Sequence, residues 1–99
     1  MNMQAMLMQA QRIQRELQKA KAELGSKEFT IEKGGAVKVT VLGNKTIKGI
    51  NIEDAALKED KEMVQDMITL AINEAFEEIK KAEEEINLRL TGRKEGLGM

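Results

Sequence analysis

The 99 residues allow one domain with a modest core, so a helix longer than that core must lean on another surface, and oligomerisation is an early expectation. Hydrophobic residues make up 41% and charged residues 33%, with no Cys, His, Trp, Tyr or Pro, which excludes disulfides, thiolate or imidazole metal sites and the usual nucleophiles and proton shuttles. The net charge of −1 conceals a segregation: residues 1–27 carry +3, 28–52 +2, 53–87 −8 and 88–99 +2, so positive potential gathers on the first segment, the middle and the tail.

The chain opens with "MQAMLMQAQRIQRELQKAKAEL" from Met3, where Met3, Met6, Ala10, Ile13, Leu17, Ala20 and Leu24 recur in strict three- and four-residue steps. That spacing predicts a helix over about Asn2–Leu24 with a narrow apolar seam that needs a facing partner. Gly25-Ser26 is expected to end it, the Gly in a left-handed conformation. Gln4, Gln9, Gln11 and Gln14 interrupt any apolar run, so neither a signal peptide nor a membrane span is expected and the default compartment is the cytoplasm.

From Lys27 the period changes to two. Phe29 and Ile31 alternate with Thr30 and Glu32, Lys33-Gly34-Gly35 supplies a turn, and "AVKVTVL" puts Val37, Val39 and Val41 on one face. Gly43-Asn44 suits a two-residue primed turn. In "KTIKGINI" the parity breaks, with Ile47 opposite Ile50 and Ile52, and Gly49 marks a bulge or a close backbone approach. "EDAALKED" predicts a short helical turn, with Asp60 as N-cap of the helix after it. Met63, Val64, Met67, Ile68, Ala71, Ile72, Ala75, Phe76 and Ile79 make a broad face fit to cover a sheet; beyond it only Ala82 and Ile86 continue the stripe, to an end near Thr91-Gly92. Residues from about 92 to 99 are expected to be a flexible tail on a single domain spanning 1–99.

The order predicts an α+β fold, α-β-β-β-α, with a three-stranded antiparallel meander. A 23-residue helix spans about 35 Å whereas a six-residue strand covers about 20 Å, so both terminal helices overhang the sheet, and the first is expected to pair with the last, of the same chain or of a second copy.

"VKVTVLGNKTIKGINI", followed after an acidic spacer by "KEMVQDMITLAINEA", resembles the YbaB/EbfC family of small bacterial nucleoid-associated proteins, and with the Gln- and Met-rich first helix the resemblance covers roughly residues 3–90. It implies a homodimer whose first and last helices project as tweezer-like arms, and binding of double-stranded DNA with limited sequence selectivity, hence a place in the nucleoid.

Cations that could meet phosphates are Arg12, Arg15, Lys19 and Lys21 on the first helix, Lys27 after it, and Arg89, Arg93 and Lys94 towards the C-terminus, through counterion release rather than base reading. The plainer alternative is a solvated helix face, because Glu16 follows Arg12 and Glu23 follows Lys19 by four residues. Lys38, Lys45 and Lys48 are read as guards against edge-to-edge pairing, the methionines as packing, and the carboxylates of the last helix as a solvated face. With two aromatics, both in apolar patterns, neither base stacking nor a major-groove motif is indicated. No cofactor, metal, small-molecule substrate or membrane partner is expected, and no enzyme. The competing function is a prefoldin-like chaperone or interaction module, which would bear apolar residues at its arm tips; Met8, Leu88, Leu90 and Leu97 are the candidates.

Overall fold

A computed structural model describes residues 2–93. Helix α1 runs Met3–Gly25, strands β1, β2 and β3 run Glu28–Lys33, Val37–Leu42 and Ile47–Ile52, a short α2 spans Asp54–Glu59, and α3 runs Lys61–Thr91. The expected α-β-β-β-α order and the antiparallel β1-β2-β3 meander are both present.

Capping follows local chemistry. The Asn2 side chain accepts from the Ala5 N–H at 2.7 Å and Asp60 accepts from Met63 at 3.0 Å, each satisfying an otherwise orphaned amide at a helix start. Gly92, at φ 77°, closes α3 in the left-handed conformation that costs Gly little. Gly25 does not do the same for α1. It keeps ordinary helical dihedrals, and the helix is closed instead by Lys27 N–H donating to the Leu24 carbonyl at 3.0 Å and Ser26 Oγ to the Glu23 carbonyl at 3.1 Å.

The two hairpins divide the work differently from expectation. Gly34 and Gly35, at φ 58° and 67°, are the left-handed central pair between β1 and β2, and Ala36 N–H closes the turn on the Lys33 carbonyl at 3.1 Å. The β2–β3 connection is longer than the two-residue turn read from Gly43-Asn44. It spans 43–46, its left-handed residue is Lys45 at φ 69°, and Asn44 Oδ1 accepts from Thr46 N–H at 3.0 Å. Gly43 is needed for a different reason: a Cβ there would stand 1.8 Å from the Leu24 carbonyl oxygen. Close approach therefore belongs to Gly43, whereas Gly49 has open space around it and lies beside the bulge.

The bulge itself falls at Lys48. Thr40 pairs with Gly49 and Val41 with Ile47, so one extra residue of β3 is left over. The slip carries Ile47 back to the face of Ile50 and Ile52, opposite Val41, Val39 and Val37, which the unbroken alternation had denied it. Those three valines are buried under Val64, Ala71, Ala75 and Ile79 of α3. The small Ala71 and Ala75 let the helix backbone lie close, and each fully buried valine contributes about 1.5–3 kcal/mol. Beyond Ile79, α3 leaves the sheet at the end where α1 arrives, so the two helices run antiparallel. Leu17 and Leu24 are buried between them and Ile13 and Ala20 half-buried. The molecule is 68 Å long and 19 by 17 Å across.

Candidate nucleic-acid interface

Burial of Leu17 and Leu24 fixes which way α1 faces. Arg12, Arg15 and Lys19, spaced three and four apart, then share the opposite side as one ridge, all exposed. Among the described residues the only ion pairs are Lys33–Glu74 and Lys48–Glu28, so neither Arg12 nor Lys19 is held by the Glu four positions on. The ridge presents three cations free to meet an external anion. Lys21 stands two residues past Lys19, about 200° round the helix, and belongs to another flank.

The remaining cations do not extend the ridge. Lys27 sits over the Phe29 ring, its Nζ 5.3 Å from the centroid, within cation–π range. Arg89 shares with Lys27 a shallow cleft that also contains Glu23 and Glu85, so two anions accompany the two cations there. Arg93 is exposed just past the Gly92 cap, with its N–H bonded to Thr91 Oγ1 at 3.2 Å, and Lys94 lies outside the described residues. On the sheet, Lys48 reaches Glu28 across β2, while Lys33 is tied to α3 through Glu74.

Two apolar surfaces were not anticipated. The N-terminal part of α1 runs past the end of α3, and residues 2–12 are all exposed: Met3, 87% exposed, Met6, Leu7, 60%, Met8 and Ala10 have no neighbouring element among the described residues. The second surface is a trough along β3. Met67 lies against the Gly34 turn and Glu74 pairs with Lys33, which places that flank of α3 over β1. Ile68, Ile72 and Phe76, on the other flank and half-buried, border β3, whose Ile47 and Ile50 are 43% and 40% exposed. One helix about 10 Å wide covers two strands about 4.8 Å apart but not three. Strand count against helix count was the sequence signal for this trough; Phe76, read simply as core, conceals it.

No helix among the described residues is long and apolar enough to cross a membrane.

A family model described as the YbaB/EbfC DNA-binding family matches residues 1–94. A nucleoid-associated protein of Metamycoplasma arthritidis is 42% identical over 87 residues, covering 87% of this chain and 90% of the relative. Another, from Psychrobacter arcticus, is 35% identical, covering 100% of this chain and 93% of its own length. In fold, the crystal structure of an uncharacterized protein from Helicobacter pylori matches with a TM-score of 0.76 at 20% identity, covering 90% of this chain and 96% of that one.

Proposed function

The chain belongs to the YbaB/EbfC DNA-binding family, and from that membership we propose that it acts in the bacterial nucleoid as a homodimer that holds duplex DNA mainly by its phosphates, without catalysis. The observation that carries this proposal is the ridge of Arg12, Arg15 and Lys19, exposed and free of ion pairs on the side of α1 turned away from the acidic last helix. Cations spaced about 5–6 Å apart along a rigid helix suit a line of phosphates, and they carry no base-reading geometry.

The trough along β3 supports the dimer. Ile47 and Ile50 stay exposed on β3, and Ile68, Ile72 and Phe76 are only half-buried on α3, apolar surface that a second copy would bury across a two-fold axis. Two such copies present two ridges.

Backbone binding has a direct test. Affinity for unrelated duplexes should fall with salt along a log–log slope of about −0.9 per phosphate neutralised. Arg15→Gln with Lys19→Gln keeps helix propensity and removes four charges per dimer, so binding should weaken on every duplex alike and the slope should flatten. An intact double variant with unchanged affinity would move the DNA surface off the ridge.

The exposed apolar tip of α1 favours one competing function, a chaperone-like arm that grips clients. It bears Met3, Met6 and Leu7 as well as Met8, more than the sequence suggested. Absence of duplex binding by the parent protein at low salt would select that alternative.

A further inference from the structure

Residues 2–11 read NMQAMLMQAQ, and their polarity is the same in both directions about the midpoint between Met6 and Leu7. Asn2 answers Gln11, Met3 answers Ala10, Gln4 answers Gln9, Ala5 answers Met8 and Met6 answers Leu7, polar matched with polar and apolar with apolar throughout. An isologous contact sets residue i against j and j against i, so a helix packing antiparallel on its own copy needs such a self-matching pattern. The whole segment is exposed, none of its side chains is charged, and its apolar side continues the seam that Leu17 and Leu24 fill against α3.

We propose that this segment is a self-association surface, on which α1 of one copy packs antiparallel along the same ten residues of a second copy. Met3 then lies against Ala10, a long side chain against a short one, and Met6 lies against Leu7. Antiparallel packing opposes the two helix dipoles, and the absence of charge removes the repulsion that pairing through Arg12 and Arg15 would meet. Continuity with the α1–α3 seam fixes the occupant as a helix, and the symmetry of the pattern fixes that helix as a second α1.

Ten residues of helix make a contact about 15 Å long, which is short for a stable interface, so the association is weak and grows with concentration. The tip lies at the far end of the arm from the β3 trough, and one chain can use both surfaces at once. Two isologous contacts on one chain, alternating, link copies in series, as an open string unless the two two-fold axes intersect and close it. If the ridge holds DNA as proposed above, such a string joins separate duplexes; the self-association itself does not depend on DNA.

Sedimentation of the full chain from about 1 μM to about 1 mM, without DNA, tests this directly. The parent protein should grow beyond the unit present at the lowest concentration. Leu7→Glu alters only an exposed position, so helix content, melting temperature and the low-concentration unit should persist. The larger assembly should weaken by at least about tenfold, because a carboxylate would have to be buried against Met6 of the second copy. The parent has no cysteine, so mixing a Met3→Cys chain with an Ala10→Cys chain and oxidising should link position 3 to position 10 in preference to 3 with 3 or 10 with 10. Three results would overturn the proposal: no growth with concentration, equal growth in Leu7→Glu, or like-with-like disulfides as abundant as crossed ones. Capture of an unfolded client by the tip, in a protein that does not self-associate, would also overturn it.

Discussion

Gly43→Ala places a Cβ 1.8 Å from the Leu24 carbonyl oxygen, 2.6 Å from its carbon and 3.2 Å from Leu24 Cγ. The first of these atoms is backbone and cannot rotate aside, so the C-terminal end of α1 and the β2–β3 turn must separate. Two hydrogen bonds close that junction, Gly43 N–H to the Lys27 carbonyl at 2.9 Å and Asn44 N–H to the Gly25 carbonyl at 3.2 Å. Losing both costs about 2 kcal/mol, and partial exposure of the buried Leu24 adds about 1–2. A total of about 3–4 kcal/mol lowers the melting temperature by about 12–30 °C in a domain of this size. Gly49→Ala is the matched control: it meets nothing within 4 Å, and its effect should stay within about 0.5 kcal/mol. Thermal unfolding followed by circular dichroism, at one fixed protein concentration because assembly shifts the midpoint, reads the difference. Equal melting temperatures for the two variants would refute the claim that α1 is buttressed on the turn.

Leu17→Asp buries a carboxylate between α1 and α3, where Leu17 is 7% exposed, and should cost at least about 3 kcal/mol and open the arm to amide exchange; unchanged protection would mean that the two helices do not share this seam. Ile50→Lys puts a charge into the β3 trough and should halve the particle mass in sizing while leaving a folded monomer, and an unaltered mass would move the proposed dimer contact elsewhere. A double-mutant cycle on Lys33 and Glu74 should yield less than about 1 kcal/mol, because both side chains remain in contact with solvent, and a larger coupling would give that pair a structural role.

The element order, the valine face and the Asp60 cap were legible because each rests on a periodicity or a capping rule that acts within a few residues. Errors arose wherever backbone met backbone from distant parts of the chain. Gly43 looks like a hairpin residue until Leu24 is placed beside it, whereas the parity break in β3 did announce a bulge next to Gly49 and left open only that the extra residue is Lys48. The first helix shows the same division. Its heptad pointed Arg12, Arg15 and Lys19 away from the seam, and they lie there, but the length over which a partner accompanies the seam depends on where α3 stops. Lys27 and Arg89 seemed to extend a positive field, yet Glu23 and Glu85 join them only through the packing of one helix on the other.

Between Lys61 and Thr91 the last helix contains neither Gly nor Pro and is about 46 Å of unbroken rod. Its first half is bolted to the sheet through Val64, Ala71, Ala75 and Ile79, and its second half is the arm. A cantilever of this kind has no elbow, so its free end swings only if the bolted half shifts on the sheet or the helix itself breaks. The first helix is held differently, clamped at its C-terminal end to the β2–β3 turn through Gly25 and Lys27 and along its length to α3 through Leu17 and Leu24. Anything that meets the α3 arm therefore meets a stiff post, whose position is set by how α3 packs on the sheet rather than by a hinge along the helix.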